Sequence, residues 1–296
     1  MTYLKDELRG FVPKPKANEI MKDVARGSSL IRLSRIEQMT SDKKQFPMMV
    51  DGPGAYWVGE SERIQTSKAE WIFPEIEAKK LAVIVPTTRE KMNDSTIDVF
   101  GEMRPAISEA FYTTIDAAGL MGTNSPFSKS VLKSAVEAKN EITLGDNLDI
   151  DASELMGLIE EKGHDVNGFA AHYGMKNKLR KLRDANGNAL FVPGVGQSEF
   201  YSNPIEFVRN GAFDKSQAEA IAANWNYSIV GIREDISYEI LTEATLQNVT
   251  MSDGKPLSLA ENDMIAIKAT MRIGYLPIKD EAFAVLRPKG FGDSGE

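Results

Sequence analysis

Residues Ile265 to Tyr275 alternate without a break: Ile265, Ile267, Ala269, Met271, Ile273 and Tyr275 point one way, and Ala266, Lys268, Thr270, Arg272 and Gly274 the other. A period of two predicts a strand buried on one face. Eleven residues at about 3.3 Å each span roughly 35 Å, which is long for a globular strand. A long helix is predicted earlier in the chain. In "STIDVFGEMRPAISEAFYTTIDAAGLMG", Ile97, Phe100, Met103, Ile107, Phe111, Ile115 and Ala118 recur every three or four residues. Ser95 or Thr96 can cap its start, and Gly119 or Gly122 can end it. Pro105 should kink it. A long helix with long strands implies an elongated α+β body.

The rest of the chain supplies smaller pieces. Leu81 to Val85 is a continuous apolar run and reads as a strand buried on both faces. "LDIDASELMGLIEEKG" reads as a helix with Asp151 as N-cap, Glu154 completing a capping box, and Leu155, Leu158 and Ile159 inward. "MKNKLRKLRDANGN" is a basic helix running into an Asn186–Gly187 turn, followed by short strands at "IEFVR", "YSIVGI" and "ISYEIL". The chain divides into two intertwined lobes, one built on the long helix and last strand, the other from about Thr143 to Asn248. The tail "GFGDSGE" is expected to be disordered.

Two segments lack an internal partner. The first 40 residues read as an arm, with Ile20, Met21 and Val24 on one face of a short helix that needs a distant surface, in this chain or another. "GPGAYWVGESERIQTSKAEW", Gly52 to Trp71, is almost wholly polar between aromatics and cannot fold around a core of its own.

The sequence is poor in chemistry. It has no cysteine, which removes disulfides, thiolate metal sites and cysteine nucleophiles and fits a reducing cytoplasm. Its start lacks a secretory h-region, and no apolar run is long enough to span a bilayer. The net charge of −8 argues against bulk attraction to nucleic acid. His164 and His172 are the two histidines, with no nucleophile elbow or H-E-x-x-H spacing to employ them. "GDNLDIDASE" resembles a calcium loop from Asp149, but Glu154 stands where glycine is required, so a capped helix after an acidic loop is the better reading. "GVGQSE" is a truncated glycine fingerprint without a following helix. The basic run Lys176, Lys178, Arg180, Lys181 and Arg183 reads as a solvated helix face. No catalytic, cofactor or metal set emerges, which is the profile of an assembly subunit.

Several stretches, taken in order, resemble the HK97-fold major capsid proteins of tailed bacteriophages. They are the W-x-x-E element at Trp57 and Glu60, "KKLAVIVPTTREKMNDS" at Lys79 to Ser95, "GTNSPF" after the long helix, "LRDANGN", the closing strand, and "AFAVL" at Ala282 to Leu286. The resemblance implies an N-arm at 1–40, an extended E-loop hairpin at 41–78, a P-domain with the spine helix at 79–142, an A-domain at 143–250, and closing P-domain strands with the tail at 251–296. It implies homo-pentamers and homo-hexamers in an icosahedral virion shell around double-stranded DNA, bound without sequence specificity. Assembly would occur in the host bacterial cytoplasm with a separate scaffolding protein, a portal and a maturation protease, and without a membrane. Tyr56, Trp57, Glu60, Arg63, Lys68 and Trp71 of the hairpin, with Ile20, Met21 and Val24 of the arm, are then the candidate intersubunit contacts. Packing of both tryptophans in their own subunit is the alternative.

Some members of that family join subunits through a lysine–asparagine bond promoted by a glutamate. Lys68 could be a donor, but Asp263 stands at the acceptor position and Thr270 at the glutamate position, so no covalent crosslinking is expected. An encapsulin-like compartment, or a soluble metal-dependent enzyme using the Asp146–Asp151 cluster, are the rival readings.

Overall fold

The computed structural model describes residues 27–51, 70–90, 99–183, 199–209, 211–251 and 254–291, with positions 57, 58, 60, 63 and 66. In chain order, a short helix α1 (Ser29–Leu33) leads into β1 (Arg35–Gln38), then a ribbon of β2 (Lys43–Gln45), β3 (Met48–Asp51), β4 (Glu70–Ile72) and β5 (Glu75–Glu77). β6 (Lys79–Thr88) precedes the long helix α2 (Val99–Asp116), whose end winds into a π-helical turn, Ala117–Met121. Next come α3 (Val131–Glu137), β7 (Glu141–Thr143), α4 (Leu148–Glu160), β8 (Gly168–His172) and α5 (Met175–Lys181). β9 (Glu199–Phe200), β10 (Asn203–Val208), β11 (Ala220–Ala223) and β12 (Ser228–Leu241) follow. The chain closes with β13 (Thr245–Thr250), β14 (Pro256–Ser258), β15 (Met264–Pro277) and β16 (Phe283–Arg287).

Two sheets carry the architecture. One has the order β1-β12-β15-β6 and the other β7-β16-β11-β8-β10-β9. The alternation at Ile265–Tyr275 lies in β15, the central antiparallel partner of both β12 and β6. Its inward face, Ile267, Ala269, Met271, Ile273 and Tyr275, joins Ile107, Phe111 and Ile115 of α2 in one core. That core continues across Phe283, Val285, Ile221 and Ala170 to Val131, Leu132 and Ala135 around α3. The opposite face of the six-stranded sheet, with Ala284, Leu286 and Ala222, is covered by Leu155 and Ile159 of α4 and Met175 and Leu179 of α5. The α+β class is therefore as expected, with the second sheet sandwiched between layers.

Several expectations need correction. β6 is an edge strand, and Ile84 on it is 44% exposed, so Leu81–Val85 is not buried on both faces. The strands buried on both faces are β11 and β16, each buried at every position. A short apolar run alone cannot distinguish edge from centre. α2 runs unbroken through Pro105 to Asp116, and Gly122, with φ of 76°, ends the π-helical turn; the start beyond Val99 lies outside the described residues. The next helix begins at Leu148 with Asn147 as its cap residue; Asp151 is inside the first turns, its carboxylate accepting from the Gly145 amide at 2.7 Å.

"YSIVGI" and "ISYEIL" are one strand, β12, with register shifts around Arg233 and Glu234, where charged residues interrupt the apolar pattern. Nor do sheets divide at 143 and 250: β12 belongs with the long helix's sheet, and β16 with the other.

The first 40 residues are not all arm. From Gly27 onward the chain is built into the body. Asp116, fully buried at the end of α2, accepts from Ser28 Oγ at 2.7 Å, Ser29 N at 3.1 Å and Leu30 N at 3.0 Å. β1 then adds in parallel to β12. Residues 1–26, with Ile20, Met21 and Val24, lie outside the described residues.

Candidate assembly surface

The ribbon is rooted by two glycines. Gly231 of β12 and Gly274 of β15 face each other in register. A Cβ on Gly274 would stand 2.8 Å from the Glu77 carbonyl oxygen, and one on Gly231 2.5 Å from Met39 Sδ. The missing side chains leave a slot for Ile76 and Met39, both buried with Ile229 and Leu276. A glycine inside an alternating strand is a signal of close backbone approach, and here it marks where the ribbon crosses the sheet.

Charged pairs surround the slot. Lys43 Nζ lies 2.7 Å from Glu75 Oε1 and Lys79 Nζ 2.7 Å from Glu77 Oε1. Asp42 pairs with Arg233 and with Arg272 at 3.1 Å. The Lys43 and Lys79 hydrogen bonds hold the Glu75 and Glu77 carboxyls below their ordinary range. These exposed pairs fix direction more than they add stability.

From this root the ribbon leads away from its own body. β2 pairs with β5 and β3 with β4, Met49 opposite Trp71 and Asp51 opposite Glu70. The six-residue rise from Gln45 to Asp51 carries the chain about 20 Å outward. Its apolar side chains lack cover: Trp57 is fully exposed, Phe73 58% and Trp71 50%, with Met49, Val58 and Ile72 also open. Large apolar residues grouped in this way mark an interaction surface. Glu60 and Arg63 are exposed too; Tyr56 and Lys68 lie outside the described residues.

Two clefts flank Pro126 and Phe127 in the "GTNSPF" stretch. One, of about 280 Å³, is lined also by Glu75, Glu77, Ser128 and Tyr275; the other, of about 220 Å³, by Lys80, Leu81, Ile115, Ala118 and Ile273. The Phe127 ring leans on Tyr275 at 6.0 Å between centroids. Tyr275 is anchored from behind by Ser228 at 3.0 Å, and Ser228 by Ser34 at 2.6 Å; burial pushes its phenol pKa up. The glycine slot and these clefts went unmarked as functional in the sequence, although the glycine at 274 and the prolyl-aromatic turn are visible there.

The remaining candidates have local employment. His172 Nδ1 accepts from the Gly174 amide at 3.0 Å. His164 stacks edge-on against Tyr227, and burial, with Lys279 nearby, depresses its pKa. Asp146 pairs with Lys289 at 2.6 Å, and no group of three metal-ligating side chains forms among the described residues. In the basic helix, Lys178 reaches the buried Glu219 at 2.5 Å and Lys176 lies over the Phe207 ring at 4.7 Å. Arg180 and Arg183 bond backbone carbonyls. No described helix is long and apolar enough to cross a membrane.

A sequence profile of the phage capsid family matches residues 10–287. The major capsid protein of Staphylococcus phage 80alpha is 34% identical over 270 residues, 91% of this chain and 82% of that one. Among solved structures, a chain of Microbacterium phage Oxtober96 superposes with a TM-score of 0.79 at 29% identity, covering 89% of this chain and 91% of its own. One from Mycobacterium phage Adephagia gives 0.77 at 25%, covering 89% and 90%. The relatives are neither encapsulin-like shells nor metal enzymes. With its HK97-like fold and an outward-leading apolar ribbon, the chain belongs to the phage capsid family.

Proposed function

We propose that this capsid protein is the repeating subunit of a tailed-phage head, closing into pentamers and hexamers that enclose double-stranded DNA. The observation that carries the reading is the ribbon. It is locked at its root by the Gly231–Gly274 slot and presents Trp57, Trp71 and Phe73 with nothing of its own chain to cover them. On this reading residues 41–78 are the E-loop, and the hairpin and the arm contact neighbours. The four-stranded sheet with α2 is the P-domain, and the layers around α4 and α5 are the A-domain. The arm is confined to the residues before Gly27.

The subunit acts without catalysis or cofactor. In support, both clefts fall below the ~300–1,000 Å³ usual for small-molecule sites, and the histidines serve local packing and hydrogen bonding. The net charge of −8 suits a shell that tolerates packed DNA without gripping its sequence. Assembly in the host cytoplasm with a separate scaffolding protein, a portal and a protease completes the proposal.

Negative-stain electron microscopy with light scattering on the purified protein tests it. Closed shells, or rings of five and six, are the expected outcome. Particles that stay at the chain's own 32.7 kDa even with scaffolding protein added would defeat it.

A further inference from the structure

The ribbon's receptor can be located on the same chain. We infer that the paired clefts around Phe127 receive Trp57 from a second copy, with Glu60 of the incoming ribbon meeting Lys80 at the cleft rim. The inference rests on the reading of the chain as a shell subunit and adds the surface that completes the contact.

Four observations lead there. Trp57 is fully exposed, and Glu60 stands three residues on with no ion-pair partner among the described residues. The clefts are walled by Pro126, Phe127 and Tyr275 on one side and by Leu81, Ala118 and Ile273 on the other. At 220–280 Å³ each they suit one aromatic side chain rather than a metabolite. Lys80 lines the second cleft, is exposed, and has no carboxylate partner among the described residues, so one open cation faces one open anion.

Geometry selects a second copy as the occupant. The first cleft lies at the ribbon's own root, because Glu75 and Glu77 line it. The paired strands carry residue 51 about 20 Å away from that root. A ribbon leading outward leaves its own cleft open and enters the cleft of a neighbour. Donor and receptor are then unlike patches on one chain, so each copy gives one contact and receives one. Such head-to-tail contacts close into rings when the rotation allows, the symmetry that pentamers and hexamers require. A tryptophan seated in a pocket, rimmed by a charged pair, has the composition of an interface hot spot.

The absence of cysteine makes the contact directly testable. Val58→Cys and Ser128→Cys are introduced singly and together, and assembled particles are oxidised and run on a non-reducing denaturing gel. The expected result is a ladder extending to five or six subunits in the double variant and single bands in each single variant. Particles that form normally in the double variant and give no ladder overturn the inference while leaving the shell reading intact. Wild-type protein that forms no particles with scaffold overturns the reading on which it rests.

Charge exchange gives a readout independent of cysteine placement. Glu60→Lys and Lys80→Glu are each expected to raise the concentration needed for assembly about tenfold. The double exchange should restore it. Two single losses without restoration would equally overturn the pairing.

Discussion

Gly274 and Gly157 make opposite predictions from the same substitution. At Gly274 an added methyl meets the Glu77 carbonyl at 2.8 Å and Ile76 at 2.9 Å, so backbone must move. Gly274→Ala is expected to cost about 1–3 kcal/mol, the usual range for overpacking, and to expose Ile76 as the ribbon root lifts. At Gly157, inside α4, nothing lies within 4 Å. Gly157→Ala should stabilise the protein by about 0.5–1 kcal/mol through helix propensity and reduced freedom of the unfolded chain. Thermal denaturation of both variants decides the matter, and equal shifts would refute the slot argument. His164 adds a pH signature. Its folded pKa is depressed by burial, with Lys279 adding repulsion, so the unfolded chain binds a proton more readily. The stabilisation is fully present above the unfolded value of about 6.5 and is lost as pH falls through the folded pKa. Wild-type stability should therefore drop below about pH 6.5 more steeply than that of His164→Gln. Parallel curves in urea titrations across that range would remove His164 from the account.

At the scale of elements, α1 and β1 form a strap tied to three parts of the body. Asp116 holds its start, Arg32 pairs with Glu206 of β10, and β1 lies along β12. Gly27 and Gly119 let the strap come close, since a Cβ on either would strike Tyr112 or Leu30. Asp116→Ala leaves two amides and a hydroxyl without their buried acceptor, and a loss of about 3 kcal/mol is expected. Amide exchange should show the opening concentrated in residues 28–39, and uniform loss of protection would point to global unfolding instead. None of this tie was legible in the sequence, where Ser28–Ser29 and Asp116 are separated by nearly ninety positions. What could be read were periodic elements of sufficient length, β15 and α2, because burial of one face imposes a period on the residues themselves. Short both-face strands such as "AIAA" carry no period, and the charged Arg233–Glu234 step disguised one long strand as two. The exposed ribbon was legible for the opposite reason. Polar residues between aromatics leave nothing for such a segment to bury against inside its own chain, whereas the cleft that would receive it is assembled from three separate stretches.

On the scale of the whole molecule, the shell is expected to be held without covalent bonds between subunits. An isopeptide bond needs a neutral lysine amine, an acceptor carbonyl with a departing group, and a base to take the proton. Asp263, at the acceptor position, is a carboxylate 3.1 Å from the Arg89 guanidinium, and a carboxylate is a poor electrophile. Thr270, at the position of the base, shares a 2.7 Å hydrogen bond with Ser237 and has no acidic group to offer. A lysine delivered there by a neighbour would remain protonated and form at most an ion pair. Stability of the particle must then come from many head-to-tail contacts, each burying ribbon apolar surface, and it should be reversible. Boiling assembled particles in detergent is expected to give a single band at 32.7 kDa, and guanidinium should return them to monomers without a resistant fraction. A ladder surviving denaturation in the cysteine-free wild-type protein would sink this prediction. It would mean that a carboxylate elsewhere in the assembled shell supplies the missing base. Introducing Asp263→Asn and Thr270→Glu together would then test the chemistry from the other side, since restoring acceptor and base should convert a dissociable shell into a crosslinked one only if a lysine is already seated beside them.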